Sequence, residues 1–384
     1  MSGCTMRRHF YVLIIIATLL TNVLVFAIHI QSAKASTITV PDDYPTIQEA
    51  VNNANAGDTV FVRNGTYYEH IVVDKTLSLI GENVESTVLN GTDIDPTMIV
   101  EANDVKISGF TFEGWTFSNI VINTTNGVII TGNKIIFSSL GVDVENSINA
   151  TIENNLIDGN GLDNIGVMLA YSSECRIANN TITNAIYDGI RLWFSNNNSL
   201  HQNLIMNNDY GIFFFESSQN TVTENTISKN SGPGIDLESS SSNNKFMHNN
   251  FIDNWTPGFY DSTVNTWDDG YPSGGNYWSD YNGTDFFGGE YQNDTVTDGI
   301  GDTPYFVDAS NRDNYPLMFP FGSIPGDVDG DGFVGIDDIF LVASHFSNKL
   351  GEPGYFRIHD LNGDGYIGVD DIFITALHFG EEKP

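Results

Sequence analysis

Cysteine is almost missing from this chain: there are two in 384 residues, Cys4 and Cys175. Cys4 falls in an N-terminal targeting segment, so Cys175 stands alone in the rest. An intramolecular disulfide and a cysteine-based metal cluster are thereby excluded. Cys175 is expected to be a small buried core residue. Basic residues are also scarce, 15 against 49 acidic, for a formal net charge of −34. Without Arg7, Arg8 and Lys34 the balance is 12 to 49. A chain of that sign repels polyanions, so nucleic acid is excluded as a partner. It suits a protein solvated in salt or calcium.

What is present begins with a basic start, Arg7-Arg8-His9, and an apolar run from Phe10 to Ile28 broken only by Thr18, Thr21 and Asn22. Ala33-Lys34-Ala35 offers a small-x-small cleavage site before Ser36. Residues 1–35 are read as a cleaved signal peptide, with a retained N-terminal membrane anchor as the alternative. Both readings place the remainder outside the cytoplasm, secreted or at the cell surface. Sequons stand at Asn64, Asn90, Asn123, Asn149, Asn179, Asn197, Asn254, Asn282 and Asn293. They allow surface glycosylation in a competent host.

From about Thr97 to Trp255 the same pattern returns every 22 to 25 residues. One half is a Gly followed by apolar alternation, as in Gly166-Val167-x-Leu169, Gly189-Ile190-x-Leu192, Gly211-Ile212-x-Phe214 and Gly234-Ile235-x-Leu237. The other half is apolar-x-x-Asn-x-Ile, as in Ile152…Asn155-x-Ile157, Ile177…Asn180-x-Ile182, Leu200…Asn203-x-Ile205 and Val222…Asn225-x-Ile227. A last copy ends at Asn250-x-Ile252, with Asn249 as the alternative register, and an early one carries Phe110-x-Phe112 in place of Asn. A fixed period of this length means stacked units that cannot bury their apolar faces alone. Alternation of period two makes the elements short strands. Asparagines stacked at the corners are expected to hydrogen-bond along a ladder and to adopt the left-handed backbone of a sharp bend. The architecture expected is all-β, a right-handed parallel β-helix over residues 36–320. An antiparallel sandwich, the alternative, does not require a constant period.

Ile38-x-Val40 reads as a strand and Thr46 to Val51 as a short helix, with Asp42, Asp43 or Thr46 as its cap. Such a helix would cover the open first coil. This opening followed by asparagine-ladder coils resembles the pectin-lyase-like superfamily, and within it the NosD-type group also described as carbohydrate-binding and sugar-hydrolase repeats. The resemblance covers roughly residues 37–320. Residues 261–320, rich in aromatic and turn residues from Trp267 to Tyr281, resemble the closing segment of archaeal members and are read as a cap on the last coil. The copper role that the NosD name implies finds no support in the sequence, because the few His and Met residues show no ligand spacing.

After a linker at residues 321–326, two matching loops occupy residues 327–384. Asp327-x-Asp329-x-Asp331-Gly332-Phe333 with Asp338 recurs 33 residues later as Asp360-x-Asn362-x-Asp364-Gly365-Tyr366 with Asp371. Hard oxygens at positions one, three and five, the backbone carbonyls of Phe333 and Tyr366 at seven and a carboxylate at twelve describe two Ca²⁺ loops. Each runs into a helix expected to pack by its Ile–Phe face, Ile339 and Phe340 in one and Ile372 and Phe373 in the other. Asp at twelve, and the lack of a preceding helix, resemble a type I dockerin. That resemblance implies a cohesin-like partner met through Ile336, Asp337, Val369 and Asp370.

The coils lack the clusters that the resemblance would supply to an enzyme. No Gly-His-Gly or Arg-x-Lys stands there, and Arg191 is the only basic residue on the Gly-strand face. The alternation points Arg191, Trp193, Phe213 and Phe215 outward, with Asp143, Glu145, Met168, Ala170, Asp236 and Glu238 in the same columns. Such an aromatic strip flanked by carboxylates suits stacking of sugar rings. The ligand-binding residues expected are Arg191, Trp193, Phe213, Phe215, Asp236 and Glu238; the alternative is a patch covered by Tyr171–Glu174 or by another subunit. Two function classes remain. One is a surface protein that binds carbohydrate or another surface polymer and docks through its tail. The other is a polysaccharide lyase or glycoside hydrolase tethered by the same tail.

Overall fold

A computed structural model describes residues 35–91, 96–114, 117–136, 139–159, 164–260, 263–329 and 332–382. The expected targeting segment, apart from residue 35, lies outside these residues. Among them, no helix is long and apolar enough to cross a membrane. Thr37–Pro384 form one compact unit.

The repeat builds three sheets whose neighbouring strands are all parallel. Sheet A has ten strands from Thr37–Val40 to Lys245–Met247, and sheet B ten from Gly65–Tyr68 to Tyr277–Trp278. Sheet C has nine, from Ile71–Val73 to Thr256–Tyr260. One coil supplies one strand to each, for example Ser199–His201, Leu204–Met206 and Tyr210–Phe215. The register places like over like: Ile177, Leu200 and Val222 pair in sheet A, Ile182, Ile205 and Ile227 in sheet B, and Ile190, Ile212 and Ile235 in sheet C. All nine are fully buried in one continuous core. Parallel pairing throughout removes the sandwich alternative.

The corners differ from expectation. The ladder asparagines do not take the left-handed backbone; the residue before each one does. Asn154, Asn179, Gln202, Glu224 and His248 carry φ between 53° and 59°. The bend thereby turns the next side chain inward, where Asn155, Asn180, Asn203, Asn225 and Asn249 are buried. The last copy therefore uses Asn249. The same device forms ladders that the repeat pattern left unread. Asn198, Asn220 and Asn244 make a second, Asn208, Asn230 and Asn254 a third, and Ser147, Ser172, Ser195, Ser217 and Ser241 a fourth. The amide of Asn254 is thus committed as an acceptor within the third ladder.

The glycine at the second position of the five sheet C strands from Leu140–Glu145 to Pro233–Glu238 has a steric cause at Gly189 and Gly211. A Cβ at Gly189 or Gly211 would lie 2.6 Å from the Cγ2 of Ile205 or Ile227. The backbone there passes directly over the isoleucine column of sheet B, so no side chain fits.

Both ends of the core are covered. Helix α1, Ile47–Asn53, lays Ile47, Ala50 and Val51 on the first coil. Thr46 is its cap, accepting the Glu49 N–H, and the Glu69 carboxylate accepts from Ile47 and Gln48. At the other end Trp267 stacks on Phe246 and Trp278 on Phe251, each at 4.3 Å, and Tyr305 stacks on Trp278. Asn276 extends the first ladder by one more step and donates to Asp313 at 2.7 Å through its backbone N–H.

Beyond this end, helices α2, Ile336–Ser344, and α3, Val369–Leu377, follow the two acidic loops. Their buried core is small: Val328, Val342, Leu361 and Ile367. The expectation that Phe340 and Phe373 would anchor the helices is wrong. They are 70% and 61% exposed, and the inward positions belong to Asp338, Val342, Asp371 and Thr375. One helical face cannot serve both the loop carboxylate at its start and the phenylalanine two positions on. Phe319 packs against both cores, and Phe321 exchanges two hydrogen bonds with the Asn250 amide and stacks on His248.

Candidate functional site

The outward face of sheet C carries two columns set by its register. One runs Val121, Asp143, Met168, Arg191, Phe213, Asp236; the other runs Glu145, Ala170, Trp193, Phe215, Glu238. The four aromatic and basic members are half-buried and Glu238 is exposed. Asp143, Ala170 and Asp236 are instead buried, which corrects their assignment to an open surface. Ala170 is a short side chain between Glu145 and Trp193, so it lies below their tops.

Trp193 and Phe215 stack face to face at 4.1 Å and 9°. Two further rings join them that strand alternation did not reveal. Phe194 meets both edge-on, at 5.7 and 5.6 Å, and stacks on exposed Tyr171 at 5.1 Å. Phe194 and Tyr171 occupy the left-handed position after the strand. They are legible only once the corner rule is known. Tyr171 therefore extends the strip rather than covering it.

Arg191 donates through Nε to the Asp188 carboxylate and lies 5.2 Å from the Phe213 ring centroid. Burial pushes Asp188 up to about 6, with Arg191 pulling the other way. Asp143 has no such partner: its Oδ1 is buried without a hydrogen bond, and burial, then Glu145, push it up to about 7. It therefore ionises only as the pH approaches neutrality.

The tail presents a second set of acids. Carboxylate oxygens of Asp327, Asp329 and Asp338 lie within 4.8 Å of one another. Asp331 is outside the described residues. Asp338 Oδ1 accepts from the Val328 and Asp329 N–H groups, and Oδ2 from Gly335. Asp371 repeats this with Leu361, Asn362 and Gly368. Asp360 accepts from Asp364 and Gly365 through the backbone and from Tyr355 through its hydroxyl. Asn362 Oδ1 accepts from Asp364 N–H, and Asp364 Oδ1 from Tyr366 N–H. Phe333 is exposed and Tyr366 half-buried. Ile336 and Val369 are each 67% exposed, beside exposed Asp337 and Asp370.

Three parallel sheets around one apolar interior, each coil giving a strand to each sheet, make this a parallel β-helix protein. The model of the family described as periplasmic copper-binding protein (NosD) matches residues 51–283, and the chain belongs to that family. Copper does not fit the donor set. Among the described residues, the grouping of three carboxylate, imidazole or thiol donors is that of Asp327, Asp329 and Asp338, which are hard oxygens. The Cys175 thiol is buried and pushed up to about 11 by that burial.

The chain is 26% identical over 236 residues to a cell surface glycoprotein of Methanothermus fervidus, covering 53% of this chain and 36% of that one. It thus spans about a third of the length of this curated relative. Among solved structures, ORF18 of Geobacillus virus E2 is similar at a TM-score of 0.44 and 13% identity, over 72% of this chain and 68% of that one. The pectate lyase Pel9A is similar at 0.41 and 12%, over 58% and 74%.

Proposed function

We propose that this chain is a surface β-helix protein that binds carbohydrate on the aromatic strip of sheet C and docks to a cohesin-like partner through a calcium-loaded, dockerin-like tail. The observation that carries the binding reading is the four-ring cluster of Tyr171, Trp193, Phe194 and Phe215 on adjacent coils. Rings held in mutual contact are rigid, so stacking a sugar on them costs little side-chain entropy. The surface location is supported by the name of the Methanothermus fervidus relative and by the basic-apolar start of the chain.

For the tail, the convergent oxygens of Asp327, Asp329 and Asp338 support a calcium site, and the matching hydrogen bonds of Asp371 support its duplicate. Ile336 with Phe340, and Val369 with Phe373 and Leu377, form exposed apolar stripes at spacings of four on the two helices. Unpartnered stripes in duplicate suit a protein surface that can be met in either of two equivalent orientations.

A second reading, hydrolysis of the bound glycan, is favoured by Asp143. An acid raised by burial beside the half-buried carboxylate of Glu145, two residues along the same face, is the pairing that glycoside hydrolysis uses.

The test is binding of soluble polysaccharides to the mature chain, followed by assay for new reducing ends. Trp193→Ala with Phe215→Ala should weaken binding by on the order of 1 kcal/mol per ring without changing the melt. A double variant that loses its cooperative melt would place the rings in the core and sink the reading. New reducing ends that vanish in Asp143→Asn would decide for the enzyme.

A further inference from the structure

We propose that a cleft at the start of the sheet C strands, walled by Phe117 and Tyr187, is a second sugar subsite, and that one glycan runs along the strand direction from this cleft to the ring cluster. This rests on the carbohydrate-binding reading.

The cleft follows from the coil sequence. The residues that lead into four successive sheet C strands are Phe117, Ser139, Asn164 and Tyr187. Backbone hydrogen bonds tie them coil to coil, from Leu140 to Phe117, Ile165 to Ser139 and Tyr187 to Asn164. Two rings thus stand at the ends of this row, with two shorter polar residues between them. Phe117 is 61% and Tyr187 47% exposed. Asn164 is buried, its amide donating to Gly159 O and accepting the Ile186 N–H. At ~4.8 Å per coil the two ring-bearing residues are ~14 Å apart along the axis. Between them lies a cavity of about 340 Å³ whose lining includes Leu140, Ile165 and Met168. Sites for small ligands have such volumes, and an apolar lining with a few placed polar groups.

Arg191 bounds the cleft on the side of the ring cluster. Its Nε donates to Asp188, which also matches its charge. Its Nη groups have no partner among the described residues, so they are donors for ligand hydroxyls. Exposed rings, an apolar floor and a charge-matched donor together suit a sugar, which has apolar faces and a hydroxyl rim.

The direction of the glycan follows from where the rings stand. Trp193 is two residues beyond Arg191 on the same strand and face, ~7 Å away. The cleft and the ring cluster therefore occupy opposite ends of the strand Asp188–Trp193, with Arg191 between. Along the axis the stack is short: beyond Trp193 the register gives Ala170, and beyond Phe215 it gives Glu238. A glycan laid along the strand meets aromatic walls at both ends, whereas one laid along the axis leaves them after two coils.

The experiment titrates the full mature chain, by calorimetry, with soluble mannan and soluble β-glucan and with the disaccharide and hexasaccharide of each. Phe117→Ala with Tyr187→Ala should weaken binding of polymer and hexasaccharide by roughly fivefold or more while the melt holds, because both rings are exposed. Ser139→Phe fills the gap between the rings and should do the same; it decides the matter should the alanine pair misfold. Ile186→Ala, at an exposed residue outside the cleft lining, should bind as the parent does. The hexasaccharide should bind at one per chain and roughly tenfold or more tighter than the disaccharide, since one molecule reaches both subsites. Two hexasaccharides per chain would overturn the shared path. Unchanged affinity in the folded cleft variant would overturn the cleft and leave the ring cluster standing as the carbohydrate site. Failure of every polymer to bind would overturn the carbohydrate reading and this inference with it.

Discussion

Asn203→Ala tests the principle on which the whole β-helix is stacked. The Asn203 side chain is 1% exposed and serves three neighbours at once. Its Oδ1 accepts the backbone N–H and the side-chain amide of Asn180, both at 3.0 Å. Its Nδ2 donates to Ile177 O at 2.8 Å and Asn225 Oδ1 at 2.9 Å. After truncation the Asn180 amide side chain still reaches Ile152 O, and Asn225 Oδ1 keeps the backbone N–H of residue 203. The Asn180 backbone N–H loses its acceptor in a site too enclosed for easy hydration. One orphaned buried donor and two weakened bonds together amount to about 3 kcal/mol. The loss should be local, because stacked coils open by neighbours rather than all at once. Native-state hydrogen exchange is therefore the assay, with the Asn180 amide losing about two orders of magnitude of protection. Gln202→Gly is the control: it removes no ladder bond and relieves a left-handed φ of 53°, so stability should hold. A cost below ~1 kcal/mol with Asn180 protection intact would mean that the ladder follows the stacking and does not drive it.

Two further outcomes are expected. Asp143 is raised in the folded state from 3.8 to about 7, so its stabilising contribution is complete below pH 4 and is lost as pH rises toward 7. Denaturant midpoints from pH 4 to pH 9 should flatten in Asp143→Asn, with a gain of up to about 4 kcal/mol at the alkaline end; an unchanged slope refutes the buried-acid assignment. In the tail, Asp329→Ala with Asn362→Ala removes loop oxygens but leaves Asp338 and Asp371 to brace the helices. Amides of residues 336–344 and 369–377 should then lose the calcium-dependent part of their exchange protection, while the coils keep theirs. Equal protection with and without chelator in the parent chain would refute coupling of metal to tail folding.

The architecture was readable because its signal is redundant: isoleucines, leucines and valines that return every 22 to 25 residues admit one stacked solution. The corners were misread because period and conformation are separate facts. Asn203 repeats for its hydrogen bonds, while the backbone strain falls on Gln202, a position with no fixed residue type. The serine ladder escaped for a related reason: Ser172 and Ser195 do the same work as asparagine with a shorter group, so no single letter recurs through all the corners. At the candidate site, alternation gave direction but not depth. It could say that Asp236 points away from the core, and it could not say that the side chain is nonetheless buried. The tail failed in the opposite sense. Phe340 and Phe373 looked like core because they are apolar, whereas the inward face was already taken by the acids that shape the loops.

The ladders also fix where the solenoid stops. Each asparagine receives on its oxygen and gives through its nitrogen, so the chain of amides has a direction and can be handed on indefinitely. Asn276 hands on to Asp313, and the second ladder passes from Asn265 to Asn311 and then to Asp308. Both recipients sit around one short antiparallel hairpin, Tyr305–Phe306 with Arg312–Asp313. A carboxyl group has no amide N–H to pass to a further coil. The hairpin thus works as a chain terminator does in a polymer: it accepts the growing end and offers nothing to the next unit. Parallel β stacks that lack such a group can template further copies of themselves. Here two of the four ladders end where a carboxylate stands in place of the next amide.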